Sequence, residues 1–501
     1  SRTRCGTDTI NDKQDKKLMD NILDKDSALL KVAMQAWESL EMLRQRRRRL
    51  KGFAYGRQWC DMVRDSQGRV MSEEQYLIEN GRVPITNNLI RQLVKSIVGR
   101  YRYMTAKADG EELAQMLSRR SEAGVRSLDD YDARALEEFL ISGCVVQRIS
   151  DEVGHGAGVE NVSPERIFLH RLDGSSAGGN RLIGVLHDMP LTTMLQRFGD
   201  GTVERHEAIK RLYAGKVGAV RPLGGESASI VFSEPSQAGC CRVIEVWEYL
   251  PSELLRCHDR RSAEYFVEDY SDEVMARLET ENNRRRKTGE PSVDHYLDIT
   301  ESWRCSWLAP SGEVLSRYWA TGKESHPFVT RFYPLIDGEV HSMVEDVVDQ
   351  QKYVNRLISL LDSVIASSAK GVLLYPTDQL PEGFTWRDMR RIWSNPSGVL
   401  PFKRTSKTVM PHQVHSSGSS SGASEMLRLQ LELFDEISGT TGALRGKSSH
   451  ATGAEMLHTE LENGTISMLD MLATFRAFID ERNARLRCVN SDINRNNCQE
   501  L

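Results

Sequence analysis

The sequence lacks any apolar run that approaches the ~18 residues required by a membrane-spanning helix. Charged residues make up 27% of its 501 residues, the formal net charge is −5, and the mean hydropathy is −0.46. The first stretch, SRTRCGTDTINDKQDKK, also lacks the apolar core of a secretory signal peptide. We therefore expect a soluble protein that has no membrane segment and is not secreted.

Cysteine pairs at redox or zinc spacing are absent as well. The nine cysteines are an odd number, and no two of them form a C-x-x-C pair. The adjacent Cys240 and Cys241 and the spaced His412 and His415 have the chemistry of metal ligands, but no further ligands follow at zinc spacing. We expect free thiols in a reducing compartment, with no metal and no cofactor.

The apolar residues that are present, 39% of the chain, follow helical and strand-like patterns. A chain of this length corresponds to roughly three domains of about 150 residues. Residues 31–270 predict N-terminal helices and then a largely antiparallel sheet, which is an α+β organisation. The predicted strands are CVVQRIS, ERIFLHRL, RLIGVLHDM, ASIVFSE and RVIEVWEYL. The basic run Arg46–Arg49 faces solvent, a phosphate or an acidic neighbour.

Two helical segments flank an aromatic-rich β segment in the middle of the sequence. Residues 271–290 are acidic at the start and basic at the end, in accord with the helix dipole. Residues 291–340 contain alternating runs around a Pro-Ser-Gly turn, and a helical apolar stripe runs from 341 to 369. Uncharged amides interrupt the polar face of this second helix at Gln350, Gln351 and Asn355. Two such helices with a β module at their shared end predict a stalk.

The stretch HSSGSSSGASE, residues 415–425, contains the G-x-S-x-G pattern of a serine-hydrolase elbow with Ser420 as the nucleophile. His450 and His458 follow downstream, where a triad histidine would lie. The preceding SKTVMPHQVH does not have the pattern of a buried parallel strand, and glycines around three serines favour backbone freedom. We interpret the stretch as a mobile loop. GALRGKSS also fails as a phosphate-binding loop, because three residues rather than four separate its glycines.

The order of these elements resembles that of the portal protein of tailed bacteriophages. FAYGRQW followed by VPITNNLIRQLVKSIVGRYR is similar to the N-terminal wing signature of that family, and VIEVWEYL is similar to the wing strand leading to the first stem helix. SHPFVTRFYPLIDGEVHSMVEDVVDQQKYVNRLISLLDS resembles the family's passage from the clip to the second stem helix. Its matching features are Pro327, Phe328, Asp337, Gly338, Gln351 and Asn355. The resemblance spans residues 31 to 487, approximately.

The resemblance implies the portal fold and assigns each segment to a region of it. The expected regions are a flexible arm (1–30), the first part of the wing (31–270), stem helix 1 (271–290), the clip (291–340), stem helix 2 (341–369), the second part of the wing (370–415), the tunnel loop (416–424), the tunnel helix (425–440), the crown (441–487) and a tail (488–501). The tail is polar, and we expect it to be frayed.

The resemblance also implies a function. Portal proteins form a ring, usually a dodecamer, at one vertex of the capsid, and double-stranded DNA passes through the axial channel during packaging and ejection. The implied partners are the terminase (the packaging ATPase), the major capsid protein, the scaffold and a head-to-tail adaptor, with assembly in the host cytoplasm. No enzymatic activity is implied. The alternative is another virion adaptor or connector ring subunit that does not line a DNA channel.

Candidate site residues follow from the same assignment. The candidate tunnel-loop residues are Ser416, Ser417, Gly418, Ser419, Ser420, Ser421 and Gly422. The candidate stem-helix residues are Gln350, Gln351, Asn355 and Arg356, and the candidate basic DNA contacts are Arg284, Arg285, Arg286 and Lys287. Tight DNA binding needs many Lys and Arg residues, whereas this chain would give roughly −60 formal charges in a ring of twelve, so the composition favours a conduit over a clamp.

Overall fold

The computed structural model describes residues 23–80, 82–108, 128–152, 156–171, 181–218, 229–320, 326–370, 372–394, 399–403, 410–414, 421–439 and 468–499. The chain divides into two units, each of which combines distant parts of the sequence. The first unit comprises residues 1–51, 97–345 and 467–501, and the second comprises residues 52–96 and 346–466.

The described helices are α1 (Ser27–Ser39), α2 (Glu41–Ala54), α3 (Glu73–Glu79), α4 (Leu89–Ala108), α5 (Leu128–Ser142), α6 (Leu191–Phe198), α7 (Val203–Leu212), α8 (Asp272–Thr288), α9 (Met343–Lys370), α10 (Trp386–Ser394), α11 (Ser421–Ile437) and α12 (Leu469–Gln499). The described strands are β1 (Met62–Arg64), β2 (Val70–Ser72), β3 (Cys144–Glu152), β4 (Gly156–Asn161), β5 (Ile167–Leu169), β6 (Leu182–Pro190), β7 (Cys240–Asp259), β8 (Glu264–Asp269), β9 (Val293–Leu308), β10 (Val314–Trp319), β11 (Phe328–Phe332), β12 (Pro334–Ile336), β13 (Glu339–Val340), β14 (Val372–Leu374) and β15 (His412–Val414). None of the described helices is both long enough and apolar enough to cross a membrane.

The largest sheet lies in the first unit and has the strand order β10-β9-β7-β6-β5, with β8 paired to the second half of β7. The pairings among the described strands are antiparallel, which confirms the predicted α+β class. Strand β7 is long and contains Pro251, which lacks the N–H of a ladder hydrogen bond. This proline lies between the part of β7 that pairs with β6 and the part that pairs with β8, so no pairing is lost there.

The large sheet separates two apolar layers of the first unit. On one face, Ala33 and Trp37 of α1 pack with Phe168 and Ile244. On the other face, residues of α6 and α7 join the smaller sheet β11-β3-β4 around the buried side chain of Trp307. Both faces of the central strands are therefore covered, which explains why β6 begins with the uninterrupted apolar run Leu182–Leu186.

The predicted clip, residues 291–340, is not a separate β module. Strand β9 pairs with β7 along its whole length, and β11 pairs with β3, so both belong to sheets of the predicted wing. Side chains from this segment, including Trp303, Trp307 and Phe328, are part of the main core. The alternating pattern identified these strands correctly, but it carries no information about which strand each one pairs with. The separation of 291–340 from the wing sheet is corrected accordingly.

Several predicted boundaries also move. Helix α1 begins at Ser27, capped by the Asp26 carboxylate, so residues 27–30 of the predicted arm are helical. Helix α12 continues to Gln499, so the predicted frayed tail is helical over residues 488–499, because no proline or glycine follows Gly464 to end it. The segment ASIVFSE forms no strand at its described residues 229–234, and helix α7 was not predicted. The predicted stop at Gly143 is confirmed, with φ of 68°.

Candidate functional site

The Ser/Gly loop is only partly described by the structure. Ser416, Ser417, Gly418, Ser419 and Ser420 lie outside the described residues, as do His415, His450 and His458. Ser421 and Gly422 form the first turn of α11, so the predicted loop end at residue 424 is wrong. A glycine is tolerated there because the first four N–H groups of a helix make no intrahelical hydrogen bond.

Strand β15 precedes this loop in the chain, and its pairing shows whether it is the parallel strand that a nucleophile elbow requires. It has three residues and pairs antiparallel with β14. A nucleophile elbow instead follows a buried strand of a parallel sheet. The geometry therefore supports the rejection of Ser420 as a nucleophile.

The basic end of helix α8 divides into a buried and an exposed part. Arg285 is 9% exposed, and its guanidinium donates two hydrogen bonds to the Asp259 carboxylate at 2.7 and 2.9 Å. These bonds hold the pKa of Asp259 well below its ordinary value. Arg285 thus attaches the helix end to strand β7, and this pairing makes it the least available of the four predicted DNA contacts. Arg286 and Lys287 are exposed.

Arg284 is intermediate between these cases. Its guanidinium pairs with Glu281 one turn earlier on the same helix, and the side chain stays largely exposed. An exposed pair of this kind contributes little stability and can be exchanged for another anion. Arg284, Arg286 and Lys287 therefore form the exposed cationic end of α8, with Gly289 at φ 70° ending the helix.

The amides of helix α9 are buried rather than on a polar face, which corrects the prediction for Gln351 and Asn355. The Oε1 atom of Gln351 accepts hydrogen bonds from the Leu89 and Ile90 N–H groups at 2.8 and 3.2 Å. Its Nε2 group donates to the Asn87 carbonyl at 2.7 Å and to Asn355 Oδ1 at 3.1 Å. Gln351 therefore caps the start of α4, whose first N–H groups have no partner within the helix.

Asn355 extends this network one turn further along α9. Its Oδ1 atom accepts from the Asn87 N–H group at 3.0 Å, and its Nδ2 group donates to Gln58 Oε1 at 2.6 Å. Gln58 donates in turn to the Phe53 carbonyl and to Asn88 Oδ1. The network joins α9 to the FAYGRQW and VPITNN segments, all within the second unit.

The two other candidate residues of α9 are more exposed. Arg356 forms an ion pair with Glu73 at 2.6 Å. Four residues earlier on α9, Lys352 forms a similar ion pair with Asp61 at 2.6 Å. Gln350 is half-buried. Of the four predicted stem-helix residues, Gln351 and Asn355 belong to the buried amide network, Arg356 is ion-paired at the surface, and Gln350 is half-buried.

The basic run Arg46–Arg49 of α2 has acidic neighbours, which is one of the three environments that the sequence predicts for it. Arg47 is buried, and its guanidinium contacts Glu138 and Glu165, each at 2.6 Å. Arg46 reaches Glu345 and donates to the Val340 carbonyl. These pairs connect α2 with α5 and with the end of β13, so the run holds the first unit together.

A buried carboxylate lies at the centre of the large sheet. Glu245 accepts hydrogen bonds from Arg148 at 3.2 Å and from Trp247 Nε1 at 2.9 Å, and it shares a 2.7 Å hydrogen bond with His187 Nε2. Burial alone raises the pKa of Glu245, but the charge of Arg148 and these hydrogen bonds outweigh it and hold the pKa at about 2.

This carboxylate should make the first unit sensitive to acid. Because the folded pKa of about 2 lies below the ordinary value of 4.5, the stabilising contribution is complete above pH 4.5 and is lost as the pH falls through 2. We expect the free energy of unfolding to fall by about 3 kcal/mol more in the parent than in Glu245→Gln between pH 4.5 and 2. Urea unfolding across this pH range measures the difference. Equal pH slopes for the two proteins would contradict the assignment.

The thiols do not form a redox or metal site in the described part of the chain. Cys240 and Cys241 are free and buried, and burial raises the pKa of each thiol. No cluster of three or more His, Cys, Asp or Glu side chains suited to a metal ion occurs among the described residues. The buried cysteines, which are Cys144, Cys240, Cys241, Cys257 and Cys305, contribute to packing.

Comparison with known proteins gives one family. No curated protein matches the chain significantly. The family model described as phage P22-like portal protein matches residues 180–478. This match includes most of the large sheet, the end of α8, the α9 amides Gln351 and Asn355, and the segment that contains the Ser/Gly loop. The chain therefore belongs to the P22-like family of phage portal proteins, which are structural proteins of the virion and form oligomeric rings.

Proposed function

We propose that the chain is the subunit of a ring at one capsid vertex, through which double-stranded DNA enters during packaging and leaves during ejection. The observation that carries this proposal is the family match over residues 180–478. The composition supports a conduit, because an acidic chain attracts phosphates weakly and lets DNA slide.

Within this proposal, the Ser/Gly segment 416–420 and helix α11 belong near the DNA path. The small serine side chains and Gly418 of the segment support this, since such residues allow the backbone to adapt to a moving duplex. Arg284, Arg286 and Lys287 are the remaining candidates for basic DNA contacts, supported by their exposure at the end of α8. Helices α8 and α9 are proposed as the stem.

The proposed partners are the terminase, the major capsid protein, the scaffold and a head-to-tail adaptor. The segment assigned to the clip contributes β9 to the outer part of the large sheet. In this part, helix α8 packs on one face of β7, β8 and β9. We define these three strands and α8 as the projection. Its separate apolar cluster, which contains Leu255, Cys257, Leu278 and Val293, supports an independent docking role for it.

The mass and rotational symmetry of the purified particle test the proposal first. Native mass spectrometry with electron-microscope class averages should give a closed ring near twelve subunits with a central hole. Deleting residues 416–420 should leave the ring intact and reduce DNA retention in filled capsids. A stable monomer or dimer under assembly conditions contradicts the proposal. If this chain assembles only on a ring that another protein has already formed, the adaptor alternative is favoured.

A further inference from the structure

Strand β9 has an open edge within the projection. Strand β7 pairs with β9 along Val293–Leu308, whereas β10 covers the other side of β9 only at residues 304–308. Among the described strands, no partner lies beside the remaining part of that edge. The register with β7 is continuous, so no bulge turns this edge away.

The orientation of the edge groups follows from the two ends of the open part. The N–H and C=O groups of Val293 bond to the side-chain amide of Asn282, and the Trp303 carbonyl accepts from the Ala320 N–H. Alternate residues of an antiparallel strand direct these groups to opposite sides. The same parity directs the backbone groups of four intervening residues to the open side. They are His295, Leu297, Ile299 and Glu301.

The side chains along this edge include neither the lysine nor the proline that commonly keeps edges apart. Leu297 and Ile299 are 49% and 64% exposed, and the sequence VDHYLDITES contains no lysine or proline. Long exposed apolar edges pair with other chains unless a lysine, proline or bulge prevents it. At Val293 the side-chain amide of Asn282 makes the two hydrogen bonds that a partner strand would make. This end of the open stretch is therefore already satisfied.

The other side of the projection has a second open edge. Strand β8 pairs with β7 alone among the described strands, and Tyr265 on it is 81% exposed. The sequence EYFVED also lacks lysine and proline. Both β8 and β9 are antiparallel to β7, so they run parallel to each other. A β9 edge can therefore receive a β8 edge and continue the same sheet.

Four acidic residues of these strands, Asp294, Asp298 and Glu301 on β9 and Glu268 on β8, are paired with arginines of the same chain. Asp298 and Asp294 contact Arg256 and Arg260, each at 2.5 Å. On β8, Glu268 contacts Arg277 of helix α8. Like charges on adjacent strands repel each other, so this internal pairing removes a barrier to bringing the two edges together.

We propose that the open β9 edge of one copy pairs with the open β8 edge of the next copy, in parallel, and that the occupant of each edge is thus a second copy of this chain. Because the two edges differ, the contact is heterologous and propagates around a ring instead of stopping at a dimer. This inference rests on the proposed ring and specifies the contact that closes it.

A proline at the edge tests the backbone contact. Leu297→Pro removes one outward N–H while leaving the ladder to β7 intact, since that N–H points away from β7. We expect Leu297→Pro to reduce ring yield at least tenfold, with unchanged circular dichroism. The matched control Leu297→Ala keeps the N–H and should assemble like the parent. Parental ring yield from Leu297→Pro would overturn the proposal.

Cysteine cross-linking gives a test that does not depend on the proline variant folding. Val267→Cys on β8 and Tyr296→Cys on β9 lie on the same face of the sheet, since they pair with the same residue, Arg256. In mixed rings of the two single variants no chain carries both cysteines, so a short bis-maleimide should give linked dimers of unlike subunits that no link within one chain can produce. Assembled double variants should in addition give a ladder of linked subunits. The parent without these cysteines supplies the background.

The outcomes separate this inference from the proposed function. Rings that form without linkage between β8 and β9 overturn the proposed edge contact but remain consistent with the proposed function. Single variants that link to themselves indicate an isologous contact and also overturn it. Edge cysteines that become protected only when other virion proteins are added assign the edge to those proteins instead. A protein that never forms rings contradicts the proposed function itself.

Discussion

Replacing Arg482 with leucine should lower the free energy of unfolding of the first unit by about 3–5 kcal/mol, the usual result of breaking a buried ion pair from one side. Arg482 of helix α12 is fully buried, and its guanidinium donates two hydrogen bonds to the Asp132 carboxylate of α5 at 2.9 and 2.8 Å. Leucine leaves that carboxylate buried without its counter-charge. Urea unfolding followed by tryptophan fluorescence, with Trp303 and Trp307 in the core as probes, measures the loss.

Arg476 provides the matched control on the same helix. Its side chain is 71% exposed and pairs with Asp480 on the surface, so Arg476→Leu should change stability by less than about 1 kcal/mol. Adding Asp132→Asn to Arg482→Leu removes the stranded charge and should recover part of the loss. If the Arg482 and Arg476 variants were equally stable, the pair with Asp132 would not hold α12 in place.

Periodicity was sufficient to predict the helices and strands that have one apolar face. Helix α8 was predicted over residues 271–290 from its charge gradient, and the structure bounds it at Asp272–Thr288. Periodicity does not predict which helices and strands contact one another in the folded chain. The pairing of β9 with β7 is set by shape and registry across some fifty residues of chain, and no spacing within either strand encodes it. This is why 291–340 was predicted as a separate module.

The candidate residues show the same limit. A glutamine on a helix is usually a solvated residue, so the sequence placed Gln351 on the polar face. Its burial depends on the start of α4 and on Asn87, which lie more than 260 residues earlier. The pair of Arg482 and Asp132 is separated by 350 residues and left no local signal at all. The one signal that was present, Gln351 and Asn355 four residues apart, indicates a shared helix face without saying what that face contacts.

Replacing Gln351 with leucine should lower the stability of the second unit by about 3 kcal/mol, because it leaves several buried polar groups without partners. The Leu89 and Ile90 N–H groups lose their acceptor, and the Asn87 carbonyl loses its donor. Since these groups begin α4, the effect should be local to the start of that helix. Hydrogen exchange of the Leu89 and Ile90 amides measures it directly, and we expect their protection to fall by about 100-fold, the equivalent of nearly 3 kcal/mol.

Gln350→Leu is the matched control, because it makes the same chemical change one residue away at a half-buried position. It should leave the exchange of both amides within about threefold of the parent, since exposed substitutions change stability by roughly 0.5 kcal/mol or less. Asn355→Leu should resemble Gln351→Leu, because Asn355 also accepts from the Asn87 N–H. Protection that is retained in Gln351→Leu and lost in Gln350→Leu would contradict the capping role. In that case the amides of α9 would have to act on the surface of the helix, as the sequence alone had suggested.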